Sequence, residues 1–476
     1  MTKRTVLLVA TALALSGCAN LAPEHARPEL SSAPVYDPQN APEGTVTASQ
    51  LSYREWFVDP RLVALISTAI DENRDLVAAT ARIEQARAQY RIQRSDRLPT
   101  VGASGSATRT RQPATAIVGA DGESITYNRY EIGVGVSGFE LDFWGRVANL
   151  SEAARAQYLA TVEAQRAFYL SLVASTANTY FELLETQEQI ALAEATADSR
   201  REGVRIARLR MDAGVTSALP FRQAETLLTQ AEQQLAAERL SAARLRNQLA
   251  VLVGGTIPVD LPEGLPLTRQ NDGRRLDAGL PSDLLLARPD IIAAEEQLRA
   301  ARANIGAARA AFFPSISLTG NAGFSSGQLD GLFSTDGLGW SFGPSINLPI
   351  FDFGAREANL DLARAREVEQ VANYDLIVQN AFREVADALA GRRFLADQVA
   401  TLERAQAAQQ AIARIARLRY REGVADYLEV LDAERNLFEA EQTLIATRRA
   451  ELQNRANLFV ALGGGLGGPA HGAGTN

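Results

Sequence analysis

Apolar positions recur with period 3.6, then 2, then 3.6 again, and the chain runs through this cycle twice. From about Asp59, the positions Leu62, Leu65, Ile66 and Ala69, then Leu76, Ala79, Ile83 and Ala86, share a helical face and predict a helix towards Arg97. Pro99 ends it, because the residue before a proline is driven out of helical backbone. Beyond it Tyr130, Ile132, Val134 and Val136 alternate with Glu131, Gly133, Gly135 and Ser137, which predicts a strand. Val101 to Ala107 is a weaker partner, mostly Gly, Ala and Ser. In the second cycle Ile316, Leu318, Gly320 and Ala322 alternate with small polar residues, as do Trp340, Phe342, Ile346, Leu348 and Ile350. Gly-rich stretches at Gly119 to Gly122 and Gly327 to Gly337 lie between the paired strands. The apolar sets suit one face of a sheet and the small polar sets suit a face lining water. Phe139, Phe143 and Trp144, echoed by Phe351 and Phe353, sit at strand ends as an interface girdle would.

Each hairpin is followed by a long helical pattern. Val147 to Asp212 contains no proline and a single glycine, Gly203, and at 1.5 Å per residue it would extend about 99 Å. Glu357 to Arg421 is its counterpart, with Gly391 as its single glycine. Gly214 and Gly423 stop these helices, and return helices are predicted over Ser217–Val253 and Asp426–Leu462. In the first of these Leu228, Leu235, Ala242 and Leu249 are spaced by seven, with Ala231, Leu245 and Leu252 on a second seam, which is coiled-coil spacing.

The two cycles are copies. Ile206-Ala207-Arg208-Leu209-Arg210 recurs as Ile415-Ala416-Arg417-Leu418-Arg419, Gly214-Val215 as Gly423-Val424, and Gly254-Gly255 as Gly463-Gly464. Asp142-Phe143, Arg146 and Ala148-Asn149-Leu150 recur as Asp352-Phe353, Arg356 and Ala358-Asn359-Leu360. Units of this length mark a duplicated fold rather than a repeat array. Two hairpins give four strands, whereas the smallest bacterial transmembrane barrels have about eight. Open strand edges cannot persist in lipid, so strands that enter a membrane here require several chains to share one barrel. Helices of about 100 Å cannot fit a hydrocarbon core of about 30 Å and must project from one side.

Composition narrows the chemistry. Net charge is -8 and the arginines interleave with acids along helices, so no nucleic-acid partner is expected. Lys3 and Arg4, an apolar run from Val6 to Leu15, and Leu15-Ser16-Gly17-Cys18 read as a signal peptide over residues 1–17. Its last four residues resemble a lipobox, which makes Cys18 the lipidation site. Acyl chains there would each add about 0.8 kcal/mol per buried CH₂. Ala19 after the cysteine favours the outer membrane under the general lipoprotein sorting pattern. An ordinary signal peptide with a stray cysteine is the plainer alternative. The chain has one cysteine and two histidines, His25 and His471, both in end segments. That leaves no visible nucleophile, base or metal spacing, so neither enzyme activity nor any cofactor or metal site is expected. Two methionines, one of them the initiator, argue against a dedicated soft-metal relay.

The residues resemble the TolC/OprM-type outer-membrane factors, in the lipidated, NodT-like branch. The marks are Trp56-Phe57, Asp59-Pro60, Leu62, Asn73 with Asp75-Leu76, and Leu280-Pro281-Ser282-Asp283-Leu284-Leu285 with Arg288-Pro289-Asp290. Phe143-Trp144-Gly145-Arg146 and Phe351-Asp352-Phe353-Gly354 complete them. The resemblance implies a mixed α and β membrane protein: a homotrimer with a twelve-stranded transmembrane β-barrel, four strands per chain, continuous with a long periplasmic α-helical coiled-coil barrel. It further implies a passive exit duct in a tripartite efflux pump, joined to a periplasmic adaptor protein and an inner-membrane transporter of the resistance-nodulation-division type. In that family the helix-pair turns form the adaptor-contact tip, matching Gly214, Val215, Gly423 and Val424 here. The periplasmic gate matches Tyr420, Glu429 and Asp432. Asp426 with Glu429 three residues on also reads as a helix-capping pair.

The resulting organisation is a signal peptide (1–17), a lipidated extended lead (18–58), a first repeat (59–254) with its hairpin at about 100–142, an equatorial linker (255–280), a second repeat (281–462) with its hairpin at about 315–351, and a Gly-rich tail (463–476). Within the duct reading, protein export and metal efflux stay open beside small molecules such as drugs. A rival of another class is a lipid-anchored periplasmic coiled-coil scaffold whose hairpins fold as soluble sandwiches.

Overall fold

The computed structural model describes residues 20–28, 46–113, 124–277 and 288–466. Cys18 and the signal peptide, Gly119 to Gly122, the run Leu280 to Leu285 and His471 lie outside the described residues. In chain order the main elements are strand β1 (Val46–Thr47), helices α1 (Tyr53–Trp56), α2 (Pro60–Glu72) and α3 (Arg74–Ser95), strands β2 (Val101–Gln112) and β3 (Ile125–Glu140), and helices α4 (Arg146–Asp212) and α5 (Ala218–Leu252). Strand β4 (Leu276–Asp277) follows, then α6 (Pro289–Ala310), β5 (Ser315–Ser326), β6 (Leu338–Asn347), α7 (Ala355–Arg421) and α8 (Tyr427–Ala461). The duplication is visible in the lengths: α4 and α7 each have 67 residues, and α5 and α8 each have 35.

The described residues fall into two compact units. The first gathers residues 20–28, 82–113, 124–161 and 293–374, and the second gathers 46–81, 162–277, 288–292 and 375–466.

In the first unit the four long strands form one antiparallel sheet in the order β2-β3-β5-β6, so β2 and β6 are edges. Beneath it, Ala153, Ala156, Ala300 and Ala303 make a small core that lets α4 and α6 approach closely. Trp144 departs from the girdle reading. Its ring stacks on Phe313 at 4.6 Å, and its Nε1 donates to the Pro314 carbonyl at 2.9 Å. An indole whose N–H finds a partner is stable in a packed setting, so it props the strand-to-helix corner instead of facing outward. Residues 20–28 lie along α6: Arg309 donates to the Leu21 carbonyl at 2.9 Å, and Arg27 pairs with Glu295 at 3.1 Å.

The second unit has the larger core, built from α1, α2 and the middle of the long helices, with Leu62, Leu65, Ile66, Val173, Tyr180 and Phe459 among its buried members. Trp56 stacks on Phe459 at 5.3 Å, so the end of the 18–58 segment is folded onto the core rather than extended. Asp59 is buried and accepts from Arg61 N (2.8 Å), Tyr180 Oη (2.8 Å), Leu265 N (3.0 Å) and Gln270 Nε2 (2.6 Å). A buried carboxylate is tolerated only when its oxygens are bonded in this way. The helix expected to run unbroken from Asp59 to Arg97 is two helices. Asn73 leaves helical backbone at ψ 124°, its Nδ2 donates to the Leu252 carbonyl at 2.9 Å, and its Oδ1 caps Leu76 N at 2.9 Å. The cap replaces helical hydrogen bonds that a straight continuation would have made.

Candidate functional site

Two regions carry the candidate functional residues, one in each unit. In the first, directly opposed residues of neighbouring strands share a sheet face. The register therefore sorts the four strands into rows. Val101–Val136–Gly320–Phe342, Ala103–Val134–Ala322–Trp340 and Gly105–Ile132–Phe324–Leu338 lie on one face. Gly102–Gly135–Asn321–Ser341 and Ser104–Gly133–Gly323–Gly339 lie on the other. The apolar face is uncovered: Trp340 is 78% exposed and Val101 68%. An exposed apolar sheet of this extent marks a binding or membrane surface. The opposite face is mostly glycine and serine, with Ser317 and Ser345 bonded at 2.7 Å, and it also carries the ion pair of Arg129 and Glu131.

The second region is the pair of helix turns. Both close the same way. Gly214 N and Val215 N donate to the carbonyls of Met211 and Arg210, each at 3.0 Å, while Gly423 N and Val424 N donate to those of Tyr420 (3.1 Å) and Arg419 (3.0 Å). The glycines sit at φ +68° and +74°, left-handed backbone that a β-carbon disfavours, which is the reason for glycine at a helix stop. Val215 and Val424 are 73% and 70% exposed, so each turn presents one apolar side chain.

Below the turns the two copies pack together through Ala207, Ala224, Ala413, Ala416, Tyr427 and Val430. Tyr420 is held by two contacts, the Arg210 guanidinium 4.2 Å over its ring and the tilted Tyr427 ring at 5.0 Å. Glu429 and Asp432 are not joined to each other. Glu429 pairs with Arg419 across the turn at 2.9 Å, and Asp432 with Arg435 one helical turn on at 3.1 Å. Asp426 stands at the N-cap with no side-chain cap hydrogen bond, so the capping pair is not formed.

The sequence reading did not find two residues here. Arg200 is buried in α4, donates to the Leu227 carbonyl at 2.8 Å, and lies over the Phe438 ring at 5.2 Å, so it touches α5 and α8 at once. Burial lowers the pKa of its guanidinium. Gly203 faces Tyr427: a β-carbon at 203 would lie 2.5 Å from Tyr427 Oη. Burial, then Glu434 and Tyr420, pushes the Tyr427 hydroxyl up to about 12. The signal for Gly203 was its isolation in an otherwise glycine-free helix. Among the described residues no group of three or more His, Cys, Asp or Glu could hold a metal ion, and no helix is long and apolar enough to cross a membrane.

A family model described as outer membrane efflux protein matches residues 65–255 and 280–464. The chain is 42% identical over 471 residues to the probable efflux pump outer membrane protein TtgC of Pseudomonas putida, covering 98% of this chain and 96% of that one. It is 40% identical over 462 residues to the cation efflux system protein CusC of Escherichia coli strain K12, covering 95% and 98%. Among solved structures, the open state of the Neisseria gonorrhoeae MtrE outer membrane channel superposes with a TM-score of 0.86 at 39% identity, covering 94% of this chain and 99% of that one.

Proposed function

This chain belongs to the outer membrane efflux protein family, and from that premise we propose that it is the passive, gated exit duct of a tripartite pump for small molecules. It works in the outer membrane, with its helices extending into the periplasm. The observation that carries the duct reading is a four-stranded sheet whose apolar face is uncovered and whose edges, β2 and β6, are open. Unpaired strand groups each cost several kcal/mol in lipid, so a full edge costs on the order of tens of kcal/mol, more than the whole stability of a small domain. Pairing β2 of one copy with β6 of the next removes the cost, and three copies close twelve strands around the Gly- and Ser-lined face.

The turns at Gly214-Val215 and Gly423-Val424 are the surface we assign to a periplasmic adaptor, itself bound to an inner-membrane transporter of the resistance-nodulation-division type. Acylated Cys18 tethers the chain to the bilayer. Tyr420, Glu429 and Asp432 belong to the gate, where the helix ends converge when closed and splay when open. An adaptor shifts that equilibrium only by binding the open form better. Small organic cargo is favoured over a dedicated metal relay because the chain has two methionines and two histidines. Planar-bilayer recording tests the duct: purified protein should give discrete conductance steps from a heat-sensitive trimer. A soluble monomer after Cys18→Ala, with no conductance, would instead establish the scaffold.

A further inference from the structure

The uncovered sheet face is apolar except at one corner. Continuing the β2 row past Ala107 places Arg109 opposite Asn128 and Arg111 opposite Thr126, on the same face as Val101, Val134 and Trp340. They are the only charged residues on that face among the described strand residues. Arg129 and Glu131, which pair at 2.6 Å, point to the opposite face. Arg111 is steadied by Ser124 Oγ at 3.2 Å, and Arg109 has no partner among the described residues. In a chain of net charge -8, two cations with no acid on their face are not a generic basic surface.

Their height follows from the strands. The apolar rows run from Tyr130 to the pair Ile316 and Ile346. At about 3.4 Å per residue and a tilt near 45°, they span roughly the 25 Å of a barrel's lipid band. The middle falls near Gly102, so Arg109 stands roughly 17 Å from it, outside the hydrocarbon and one row beyond Tyr130. A tyrosine at the boundary with cations just above it is an interfacial arrangement. All four strand ends that lead to helices lie at the other end of the sheet, so this corner belongs to the outer leaflet.

We propose that Arg109 and Arg111 form an outward-facing site for an acylated, phosphate-bearing lipid of the outer leaflet. Its acyl chains lie against Ala103, Gly105 and Ile132, and its phosphates meet the two guanidinium groups. Arginine suits this because its planar fork takes two phosphate oxygens at once and stays charged. The site rests on the outward assignment of the apolar face.

The test is binding of diphosphoryl lipid A in detergent micelles to the purified full-length protein, with monophosphoryl lipid A and inorganic phosphate as comparisons. Wild type should prefer the diphosphoryl lipid, and inorganic phosphate should not compete. R109Q/R111Q should weaken binding roughly thirtyfold, R109K/R111K should recover most of it, and R129Q should leave it unchanged. Bilayer conductance of each variant reports whether the barrel is intact. Unchanged lipid binding by a conducting R109Q/R111Q protein, or equal weakening by R129Q, overturns the lipid site alone. Absence of conductance from wild type overturns the outward assignment and the duct together.

Discussion

The two helix turns have one backbone and two chemistries. Gly214 and Gly423 adopt nearly the same left-handed φ and close the same pair of hydrogen bonds. At matching places 209 positions apart, Met211 answers to Tyr420, Ala218 to Tyr427, Pro220 to Glu429 and Gln223 to Asp432. Ser217 caps α5 through its side chain, while Asp426 does not cap α8. The first copy is neutral at these places; the second is aromatic and acidic. Duplication preserved what the backbone needs at a helix stop, and divergence put the chemistry into one copy. A turn built this way can change the charge beside it without disturbing its own backbone.

The comparison breaks hardest at Gly203. Gly203→Leu should evict the Tyr427 ring and destabilise the second-copy cluster by about 2–3 kcal/mol through overpacking. Ile412→Leu at the matching place in α7 should be nearly silent in the same thermal-melting assay. Gly214→Val and Gly423→Val should each cost about 1–2 kcal/mol, and by equal amounts, because each puts a branched side chain at positive φ. A clear inequality in melting temperature between them would show that the two turns are not equivalent in backbone energetics.

Tyr427 supplies a pH signature. Its folded pKa of about 12 lies above the ordinary tyrosine value of 10.0, so the folded state holds the proton more tightly. That stability is complete below pH 10 and is lost as pH rises towards 12. Melting followed across this window should show a shallower alkaline loss in Tyr427→Phe than in wild type. The smallest free-energy change is expected at Asp432, whose pair with Arg435 is exposed and worth less than about 1 kcal/mol. Asp432→Ala should nonetheless raise single-channel conductance, and Gln223→Ala should not. Equal conductance for both variants would remove Asp432 from the gate.

Much of the fold was legible because helical periodicity over 67 residues has little competition. The reading placed a helix over Val147–Asp212, and the structure has Arg146–Asp212. Ser217, read as the start of a return helix, is its N-cap. The break at Asn73 was missed although the sequence holds its signal, an N-cap residue with Asp75 in the following first turn. Apolar periodicity runs straight through the break, so the pattern of buried positions alone does not reveal it. Trp144 was misplaced because a strand-end aromatic is equally suited to an interface or to a corner, and only the Pro314 carbonyl decides between them. The grip on Tyr420 by Arg210 joins residues 210 positions apart, which no local pattern reports.

Glycine and serine rows on the polar face of the sheet have a consequence for what can leave. Gly133, Gly135, Gly323 and Gly339 project nothing, and the neighbouring hydroxyls are short. Apart from the ion pair of Arg129 and Glu131, so bare a surface offers a solute few handholds. Most discrimination therefore falls to whatever loads the passage upstream, and the outlet is largely indifferent to whatever it discharges.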